Sequence, residues 1–368
     1  MSKKIIIFSN NYWNLANFRK NLIFKLVSKK YKVFLIAKND KSISVFNSKD
    51  ITCNQIILDR SNTNLFHNLK TLYQIFFIFL KVNPTTVISF TIKPNIYSGF
   101  LCRILNINHI ATISGLGYSF LSNRYFLKNL IFFFYKISLK KSKVIFHNDS
   151  DKNFFKKKIL IKNSNLFTTP GSGIDLEKFD PNKYSYTTKG NNVFVMISRL
   201  LIDKGVLEYC KAAELIKRQN PNVQFLLIGK IDSNNPSFIN IDDLKYFINN
   251  KFIKFLDEKS DIIPYILSAD CVVLPSYREG LSKVILEGCA LQKPIIASDV
   301  PGCRELVFNN FNGFRCKVGD FQDLVIQIKK FMKLKKETKI TMGRNSRKLV
   351  IEKFNENFVI NKYLSIIS

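Results

Sequence analysis

The sequence predicts an α/β protein built from two doubly wound parallel sheets. Short, continuously apolar runs recur along the 368-residue chain, and such runs are typical of parallel strands that are buried on both faces. Longer segments with apolar residues at helical spacing separate these runs. A polar stretch at residues 181–192 divides the alternation into two series. Each series predicts one open parallel sheet with helices on both faces.

The first series predicts a domain at residues 1–168. Each predicted strand is a short run rich in branched apolar residues, and each predicted helix carries an apolar stripe. The strands are predicted at 5–8, 32–37, 55–58, 86–90, 109–113 and 143–147. The helices are predicted at 17–30, 65–82, 95–105, 124–139 and 152–161.

The second series predicts a domain at residues 169–350. Segments 167–170 and 181–192 are expected to form the linker, because the longer one (PNKYSYTTKGNN) is polar and rich in turn residues. Strands are predicted at 193–197, 223–228, 253–255, 271–274 and 294–297, and helices at 206–219, 262–269, 282–291, 321–331 and 339–354. Residues 351–368 are expected to form a C-terminal helix that packs back on the first domain.

The charge of the chain is strongly positive and unevenly distributed. Lysine and arginine total 57 against 27 acidic residues, which gives a formal net charge of +30. Residues 1–168 carry +22 of this charge and residues 169–368 carry +8. A hydrophobic content of 46% excludes intrinsic disorder as a description of the chain. The first half suits an anionic partner, and nucleic acid, anionic lipid and phosphorylated substrates all stay open.

The cysteines and the apolar runs predict a cytosolic protein without a membrane span. The seven cysteines are scattered and include no C-x-x-C pair, which favours reduced, buried thiols over a disulfide framework or a zinc site. The apolar run near the N-terminus is too short for a signal peptide and is predicted to be a strand. The sequence has no apolar run of the length that a membrane-spanning helix needs.

The first candidate site is a loop after the strand at 193–197. Arg199 and Lys204 place two cations on a loop that enters a helix. Two fixed positive charges and the amides at a helix start are suited to a diphosphate. The alternative is that both side chains are surface cations in solvent.

The second candidate site follows the strand at 271–274. Glu279 is expected at the mouth of the next helix, with Glu287 a little over two turns further on. Gly280 would let backbone amides approach a ligand closely. The alternative for Glu279 is an acid favoured by the helix dipole, and for Glu287 an exposed or ion-paired helix residue.

Gly171 and Gly173 form a third candidate site. They belong to a glycine-rich turn that suits an anion or a sugar but is equally typical of an ordinary turn.

Taken in order, the motifs GSGID, SRLLIDKG, LLIGK, REGLSKVILEG and DVPGCREL resemble the retaining glycosyltransferases of family 4. The resemblance covers about residues 165–315. Segments 13–19, 91–97 and 114–118 are also similar to bacterial enzymes that build surface glycans on undecaprenyl diphosphate. These enzymes include the N-acetylgalactosaminyltransferases of capsule, O-antigen and N-glycan assembly, which the segments also resemble.

The resemblance implies a GT-B fold, with two Rossmann-like domains facing a central cleft and the nucleotide-sugar donor held by the second domain. It implies that Arg199 and Lys204 neutralise the donor diphosphate in place of a metal ion, that Glu279 binds the transferring sugar and that Glu287 holds the ribose. Neither a metal ion nor another cofactor is expected, and the donor is expected to be UDP-linked. The remaining donor-binding residues that it implies are Gly171, Gly173, Gly229, Gly280, Leu281 and Ser282.

The acceptor is expected on the first domain. The resemblance implies a polyprenyl-diphosphate-linked saccharide acceptor, and its candidate contacts are Asn17, Arg19, Thr91, Lys93, Ser114, Gly115 and Gly117. The segment 124–143 interleaves aromatic and basic residues, which predicts a helix lying on anionic lipid; the alternative is that its phenylalanines pack on the sheet. The enzyme is therefore expected in the cytoplasm, peripheral on the inner face of the plasma membrane, and without a nucleic-acid partner.

Two further features have a plain structural explanation. Asp149 and Asp151 imitate an Asp-x-Asp metal motif, but they precede a helix and are predicted to serve its N-terminus. His109 and His147 are candidates for a histidine that assists catalysis in relatives, and the alternative is a structural residue at a strand end. A noncatalytic, basic nucleic-acid-binding protein is the second interpretation of the whole chain, although the sequence shows none of the usual nucleic-acid-binding motifs.

Overall fold

The computed structural model of the protein describes residues 3–59, 64–115, 125–158, 165–184, 192–233 and 235–367. The chain divides into two compact units. Unit 1 comprises Met1–Ser172 with Asn357–Ser368, and unit 2 comprises Gly173–Glu356. The boundary between the two units therefore lies between residues 172 and 173, whereas the sequence predicts it between 168 and 169. The chain returns to unit 1 at residue 357, whereas the C-terminal helix that packs on the first domain is predicted from residue 351.

Unit 1 contains a seven-stranded parallel sheet in its described residues, with strand order β3-β2-β1-β4-β5-β6-β7. Its strands are β1 Lys4–Asn11, β2 Lys32–Lys38, β3 Ile51–Gln55, β4 Thr86–Phe90, β5 Asn108–Ile113, β6 Lys143–Phe146 and β7 Leu166–Thr168. Its helices are α1 Tyr12–Phe18, α2 Lys20–Ser28, α3 Leu65–Val82, α4 Ile92–Leu105, α5 Tyr125–Ser138 and α6 Asp149–Lys158.

Alternating side chains of β1 supply the two apolar cores of unit 1, because successive residues of a strand point to opposite faces. Ile5 and Ile7 pack with α1, α2 and the C-terminal helix. Ile6 and Phe8 pack on the other face with α3 and α4. The sheet is therefore covered by helices on both faces, as predicted for a doubly wound fold.

Unit 2 contains a six-stranded parallel sheet in its described part, with strand order β10-β9-β8-β11-β12-β13. Its strands are β8 Val193–Ile197, β9 Gln224–Ile228, β10 Lys254–Leu256, β11 Cys271–Leu274, β12 Ile295–Ser298 and β13 Gly313–Cys316. Its helices are α7 Val206–Gln219, α8 Ile241–Asn249, α9 Ile263–Ser268, α10 Lys283–Ala290, α11 Phe321–Met332 and α12 Lys336–Lys353. Helix α13, Glu356–Ile367, leads the chain back to unit 1.

The predicted fold class is confirmed, but several predicted elements are wrong. The strand predicted at 55–58 lies at Ile51–Gln55, and the single helix predicted at 17–30 is two helices that meet at Arg19. Segment 167–170, expected to belong to the linker, contributes to edge strand β7. Helix α8 and strand β13 were absent from the prediction.

The remaining global predictions concern thiols and membrane spans. All seven cysteines are free thiols, and all except Cys53 are buried. Within the described ranges, every helix is too short or too polar to cross a bilayer.

Candidate active site

The candidate site of unit 2 lies at the point where the strand order of its sheet reverses. Strands β8 and β11 are neighbours at the centre of the sheet, and the chain winds away from them in opposite directions. In open parallel sheets, ligands bind in the crevice outside the carboxyl ends of such a strand pair. The loops that follow these two strands are residues 198–205 and 275–282, which contain most of the predicted donor-site residues.

These two loops are fixed to each other by the backbone. The amide of Tyr277 donates to the carbonyl oxygen of Asp203 at 2.9 Å. Gly205 has a φ of 73°, and a Cβ atom there would overlap the carbonyl oxygen of Pro275. Only glycine fits a left-handed position with so close a neighbour, so the sequence at residue 205 determines how near the loops approach.

An ion pair joins the side chains of the same two loops. Lys204 Nζ donates to Glu279 Oε1 at 2.6 Å, and both side chains are largely buried. The hydroxyl of Ser276 donates to the same carboxylate oxygen at 2.8 Å. The family resemblance implies that Lys204 binds the diphosphate and Glu279 the sugar, whereas in the structure the two side chains bind each other.

Arg199 has a carboxylate partner that the sequence analysis missed. Its guanidinium donates to Asp232 Oδ2 at 2.7 Å, with the arginine side chain 41% exposed. Asp232 follows β9, the strand next to β8, and therefore reaches the same edge of the sheet. The sequence signal that could have identified Asp232 is its position in the loop that follows the LLIG motif. Both Arg199 and Lys204 are therefore ion-paired, which the alternative of surface cations held only by solvent did not include, and their binding of a diphosphate stays a prediction.

The prediction that Glu279 lies at the start of a helix is wrong. Helix α10 begins at Lys283, with Ser282 as its N-cap, and Glu279 belongs to the loop before it. The Glu279 amide donates to the carbonyl oxygen of Pro301, and the Ser282 amide donates to that of Gly302. The Ser282 amide, which was expected to contact a phosphate or sugar, therefore already has a protein acceptor. Gly280 and Leu281 lie between these two anchored amides.

Glu287 is buried inside α10, contrary to the alternative of an exposed helix residue. Burial raises the pKa of its carboxyl to about 7, and the cations of Lys283 and Lys178 act in the opposite direction. A carboxylate held in an apolar environment gains from any ligand that donates hydrogen bonds to its charged form. Lys178, which sequence reasoning had not selected, contributes to the electrostatics of this residue.

The other predicted donor-site glycines have clear geometric reasons for their identity. A Cβ atom at Gly229 would overlap the carbonyl oxygen of Ser198, so glycine allows the loops after β8 and β9 to meet. Gly171 belongs to unit 1 and Gly173 to unit 2, and both have a positive φ. These observations explain the residues structurally and leave their ligand contacts as predictions.

The predicted acceptor residues of unit 1 cluster at the carboxyl edge of its sheet. Strands β1 and β4 are the neighbours at which its strand order reverses. Asn17 and Arg19 come from the helical segment after β1, and Thr91 comes directly after β4. Ser114 and Gly115 follow β5 at the same edge, whereas Gly117 lies outside the described residues.

Arg19 is a buried cation with an unusual set of partners. One guanidinium nitrogen lies 3.2 Å from His147 Nε2, and the guanidinium stacks 4.2 Å from the ring centroid of Phe90. Its buried Nε has no hydrogen-bond partner within the described part of the chain. Burial lowers the pKa of Arg19, and the opposing influence comes from Tyr363. A buried charge of this kind is costly unless an anion or further acceptors compensate it.

Thr91 occupies a backbone conformation that is almost restricted to glycine. It is the N-cap of α4 with φ 75° and ψ 167°, and such strain costs about 1–3 kcal/mol and concentrates at functional sites. Its buried hydroxyl has no hydrogen-bond partner among the described residues. Lys93, two residues later, donates to the carbonyl oxygen of Asp59 at 2.7 Å and to the side-chain oxygen of Asn68 at 3.0 Å.

The two candidate histidines lie at opposite ends of their strands. His109 is the second residue of β5, at the amino edge, where its ring nitrogens lie 2.8 Å from Ser89 Oγ and 2.7 Å from Ser142 Oγ. Burial lowers the pKa of His109 to about 3. His147 follows β6 at the carboxyl edge, and burial together with the neighbouring Arg19 lowers its pKa.

Asp149 and Asp151 are the structural residues that the sequence predicted, although neither is the helix cap. Asn148 Oδ1 accepts from the Asp151 amide at 2.7 Å, and Asp149 accepts from the hydroxyl of Thr168 at 2.7 Å. In the portion of the chain that the structure describes, no three His, Cys, Asp or Glu residues are grouped as metal ligands.

Comparison with known proteins identifies the family. The family profile described as glycosyl transferases group 1 matches residues 180–349, and the profile described as glycosyl transferase 4-like matches residues 4–149. This chain belongs to the glycosyltransferases. A crystal structure of a glycosyltransferase from Rickettsia africae matches this glycosyltransferase with a TM-score of 0.78 at 21% identity, over 100% of this chain and 98% of the other. The match confirms the predicted GT-B fold class.

Two relatives are similar to this glycosyltransferase over most of its length. It is 28% identical to the N,N'-diacetylbacillosaminyl-diphospho-undecaprenol α-1,3-N-acetylgalactosaminyltransferase of Campylobacter jejuni, over 96% of this chain and 95% of the relative. It is 26% identical to the UDP-Gal:α-D-GlcNAc-diphosphoundecaprenol α-1,3-galactosyltransferase of Escherichia coli, over 80% of this chain and 78% of the relative. The family confirms the predicted resemblance and favours an enzyme over a noncatalytic nucleic-acid-binding protein.

Proposed function

We propose that this glycosyltransferase moves a hexose or N-acetylhexosamine from a UDP donor to an undecaprenyl-diphosphate-linked sugar, with retention of configuration at the anomeric carbon. N-acetylgalactosamine and N-acetylglucosamine are the best candidates for the sugar. The names of the two relatives support the lipid-linked acceptor, and that of the E. coli relative supports UDP. The observation that carries the proposal is the Lys204–Glu279 pair, fixed where the sheet of unit 2 reverses its strand order.

In the proposed reaction, Lys204 and Arg199 bind the donor diphosphate. Negative charge develops on the diphosphate as the bond to the anomeric carbon breaks, and positive charge develops on the sugar. Preorganised cations stabilise such a leaving group, at about 3 kcal/mol for each well-placed donor. The diphosphate competes with Glu279 and Asp232 for these cations. The charge of the leaving group is carried by the two side chains, so the proposal includes no metal ion and no other cofactor.

The two glutamates take separate roles in the proposal. Glu279, released in part from Lys204, accepts hydrogen bonds from hydroxyls of the transferring sugar. Glu287 accepts from the ribose diol, whose donors stabilise its ionised form against the cost of burial. Gly171, Gly173, Gly229, Gly280, Leu281 and Ser282 are proposed to line the donor.

Retention is proposed to follow a front-face route. The bond between the anomeric carbon and the diphosphate oxygen breaks, and the acceptor oxygen bonds to the same face of that carbon. The acceptor proton moves to the departing diphosphate oxygen, which balances the reaction without a covalent enzyme intermediate. In this proposal Glu279 accepts hydrogen bonds from the sugar hydroxyls, so the route requires no nucleophile from the enzyme.

We propose that unit 1 binds the acceptor through Asn17, Arg19, Thr91, Lys93, Ser114, Gly115 and Gly117. The buried guanidinium of Arg19 and the unpartnered hydroxyl of Thr91 support a diphosphate contact at this edge of the sheet. Such an acceptor would place the enzyme in the cytoplasm, peripheral on the inner face of the plasma membrane. The cations of α5 support this placement.

The test is a transfer assay with a panel of UDP- and GDP-sugars and a short-chain polyprenyl-diphosphate N-acetylhexosamine. The proposal expects turnover with one UDP-sugar in the presence of chelator and an α-linked product by NMR. Glu279→Gln should abolish transfer, and the control Glu352→Gln, at an exposed position of α12, should leave it unchanged. A β-linked product, or dependence on added magnesium or manganese, would contradict the corresponding part of the proposal.

A further inference from the structure

Helix α3 carries a continuous stripe of exposed apolar side chains. Its five members follow one another at helical spacing and thus lie on one face. They are Phe66, Leu69, Tyr73, Phe77 and Leu80, and their exposed fractions range from 48% to 82%. A solvent-facing stripe of this size on a helix is the reverse of the usual pattern, in which the apolar face packs on the core.

The opposite face of α3 is already occupied. Ile75, Phe79 and Val82 are buried against the sheet of unit 1, where they share a core with β1 and β4. Helix α3 thus has two apolar faces, one inside the unit and one on its surface. Because the inner face is packed, the helix cannot leave the unit to cross a bilayer, and only its outer face is available to a partner.

The neighbouring helices extend the same surface. The hydroxyl of Tyr97 on α4 donates to Asn68 on α3 at 2.8 Å. Arg103 on α4 donates to the carbonyl oxygen of Ile137 on α5 at 3.2 Å. These contacts join the three helices side by side. The exposed apolar residues that α4 and α5 add are Phe100, Ile104, Leu130, Phe133 and Phe134.

The charged residues of helices α3, α4 and α5 are all cations. The sequence contains no aspartate or glutamate between Asp59 and Asp149, although the interval includes eleven lysines and arginines. Lys70 and Lys81 flank the apolar stripe of α3, and both are exposed. Aromatic and aliphatic side chains on helices whose charged residues are all cations form a surface complementary to an anionic lipid headgroup layer over an acyl region.

We propose that the outer face of α3, α4 and α5 is a docking surface for an anionic bilayer, with α3 lying in the plane of the interface. This surface is hereafter the α3–α5 face. A second copy of the chain is a poorer occupant, because a symmetric contact would set these cations against each other. The α3–α5 face would bring the enzyme to its acceptor, because a polyprenyl acceptor resides in the membrane, and in this respect the docking surface rests on the proposed function. Its test requires no glycosyl transfer.

The first experiment is co-sedimentation of the full chain with phosphatidylcholine vesicles that contain about one third phosphatidylglycerol. The stripe variant is Leu69→Gln/Tyr73→Gln/Phe77→Gln. Its matched control is Ile326→Gln/Ile340→Gln/Ile351→Gln, which removes three exposed apolar side chains from helices of unit 2. We expect the stripe variant to bind at least about tenfold more weakly than wild type. The control variant should bind like wild type.

The second experiment tests the charges of the α3–α5 face. Lys70→Gln/Lys81→Gln/Lys136→Gln, which changes exposed cations of α3 and α5, should weaken binding to the same vesicles and flatten its dependence on salt. Vesicles of phosphatidylcholine alone should bind wild type weakly. Equal binding of the two kinds of vesicle would overturn the assignment to an anionic surface.

Three results would overturn the docking surface itself: wild type that does not bind anionic vesicles, a stripe variant that binds like wild type, or a stripe that holds a dimer together in light scattering. If the stripe variant does not fold, Tyr73→Trp in a Trp13→Phe background provides a separate readout. Its emission should shift to the blue on vesicles and be quenched by brominated lipid. An unshifted emission would contradict the proposal. Transfer to a water-soluble acceptor tests the proposed function alone and should be preserved in a folded stripe variant.

Discussion

Lys204 Nζ lies 2.6 Å from Glu279 Oε1, and the pair joins the two loops that leave the centre of the unit 2 sheet. The exposed fractions of the two side chains are only 18% and 13%, so water compensates poorly for the loss of either partner. The Lys204–Glu279 ion pair therefore links the stability of unit 2 to the charges that we propose for donor binding. When a ligand diphosphate binds Lys204, the Glu279 carboxylate loses its cation and needs other hydrogen-bond donors, which the bound ligand must provide.

Replacing Lys204 by methionine should reduce both transfer and stability. Loss of the cation leaves the Glu279 carboxylate poorly solvated, which costs about 1–3 kcal/mol and corresponds to a few degrees in the melting temperature. Loss of a donor to the leaving group should lower kcat by about 10²-fold or more. Thermal denaturation and steady-state transfer rates measure the two effects.

The double variant Lys204→Met/Glu279→Gln separates these two roles. Removing both charges should recover much of the melting temperature, because no buried charge is left without a partner. Transfer should stay lost. Lys348→Met, which breaks an exposed pair with Glu352 at 4.0 Å, is the control and should alter neither property. Restored transfer in the double variant would show that the pair is purely structural.

Asp232→Asn should strengthen the binding of UDP. Arg199 donates to Asp232 at 2.7 Å, and a diphosphate has to compete with this carboxylate. The pair is partly exposed, so its removal contributes at most about 1 kcal/mol and a two- to fivefold lower Kd. Titration calorimetry with UDP measures the change. A higher Kd would mean that Asp232 positions Arg199 and does not compete for it.

The stability of the protein should fall as pH rises from about 4.5 to about 7 through the contribution of Glu287. Burial raises its pKa from the ordinary 4.5 to about 7 in the folded state. In that window the folded protein holds a proton that the unfolded chain has released, so each increase in pH favours unfolding. The stabilising contribution is complete below the unfolded pKa and is lost above the folded one, a change of about 3 kcal/mol.

Glu287→Gln removes this titration and keeps the size of the side chain. Urea unfolding of both proteins at several pH values should give free energies whose difference varies between pH 4.5 and 7 and is constant above it. Glu352→Gln, at an exposed site, serves as the control. A constant difference across the whole range would place the pKa of Glu287 near its ordinary value.

The elements that the sequence predicted well are those whose burial follows from their own residues. Strands β4, β8 and β11 have the predicted bounds, because their apolar runs are buried on both faces. Strand β3 was placed too late because Ile51–Gln55 is an edge strand with polar residues, whereas the apolar Ile56 and Leu58 that follow it are buried outside the strand. Edge strands need only one paired neighbour, so their composition is less informative.

The sequence selected candidate site residues, but it did not predict which of them pair with each other. Motif spacing selected Arg199, Lys204, Glu279 and Glu287, since each follows a recognisable strand. Which cation meets which carboxylate depends on how the loops after neighbouring strands approach, and this is set by the backbone around Gly205 and other residues with close tertiary neighbours. The missing partner of Arg199 lay in a third loop, which only the strand order brings to the same edge.

Arg19→Met should separate the structural role of the buried guanidinium from a role in acceptor binding. Within the described residues the Nε of Arg19 is unpartnered, and the side chain stacks on Phe90 beside His147. Replacing a buried charge by an apolar side chain of similar length is often neutral or stabilising. The melting temperature should therefore hold or rise. If the guanidinium binds the acceptor diphosphate, the KM for a short-chain acceptor should rise about 10- to 100-fold, as expected for charged hydrogen bonds.

The KM for the donor provides the internal comparison for this variant, because Arg19 belongs to unit 1 and the proposed donor residues Arg199 and Lys204 belong to unit 2. It should stay within about twofold of wild type. Lys20→Met, which changes the adjacent exposed cation, controls for the general charge of this segment and should leave both KM values unchanged. A large loss of stability with an unchanged acceptor KM would instead make Arg19 a structural cation whose compensation comes from His147, Phe90 and Tyr363, and the acceptor diphosphate would have to be assigned to other residues of unit 1.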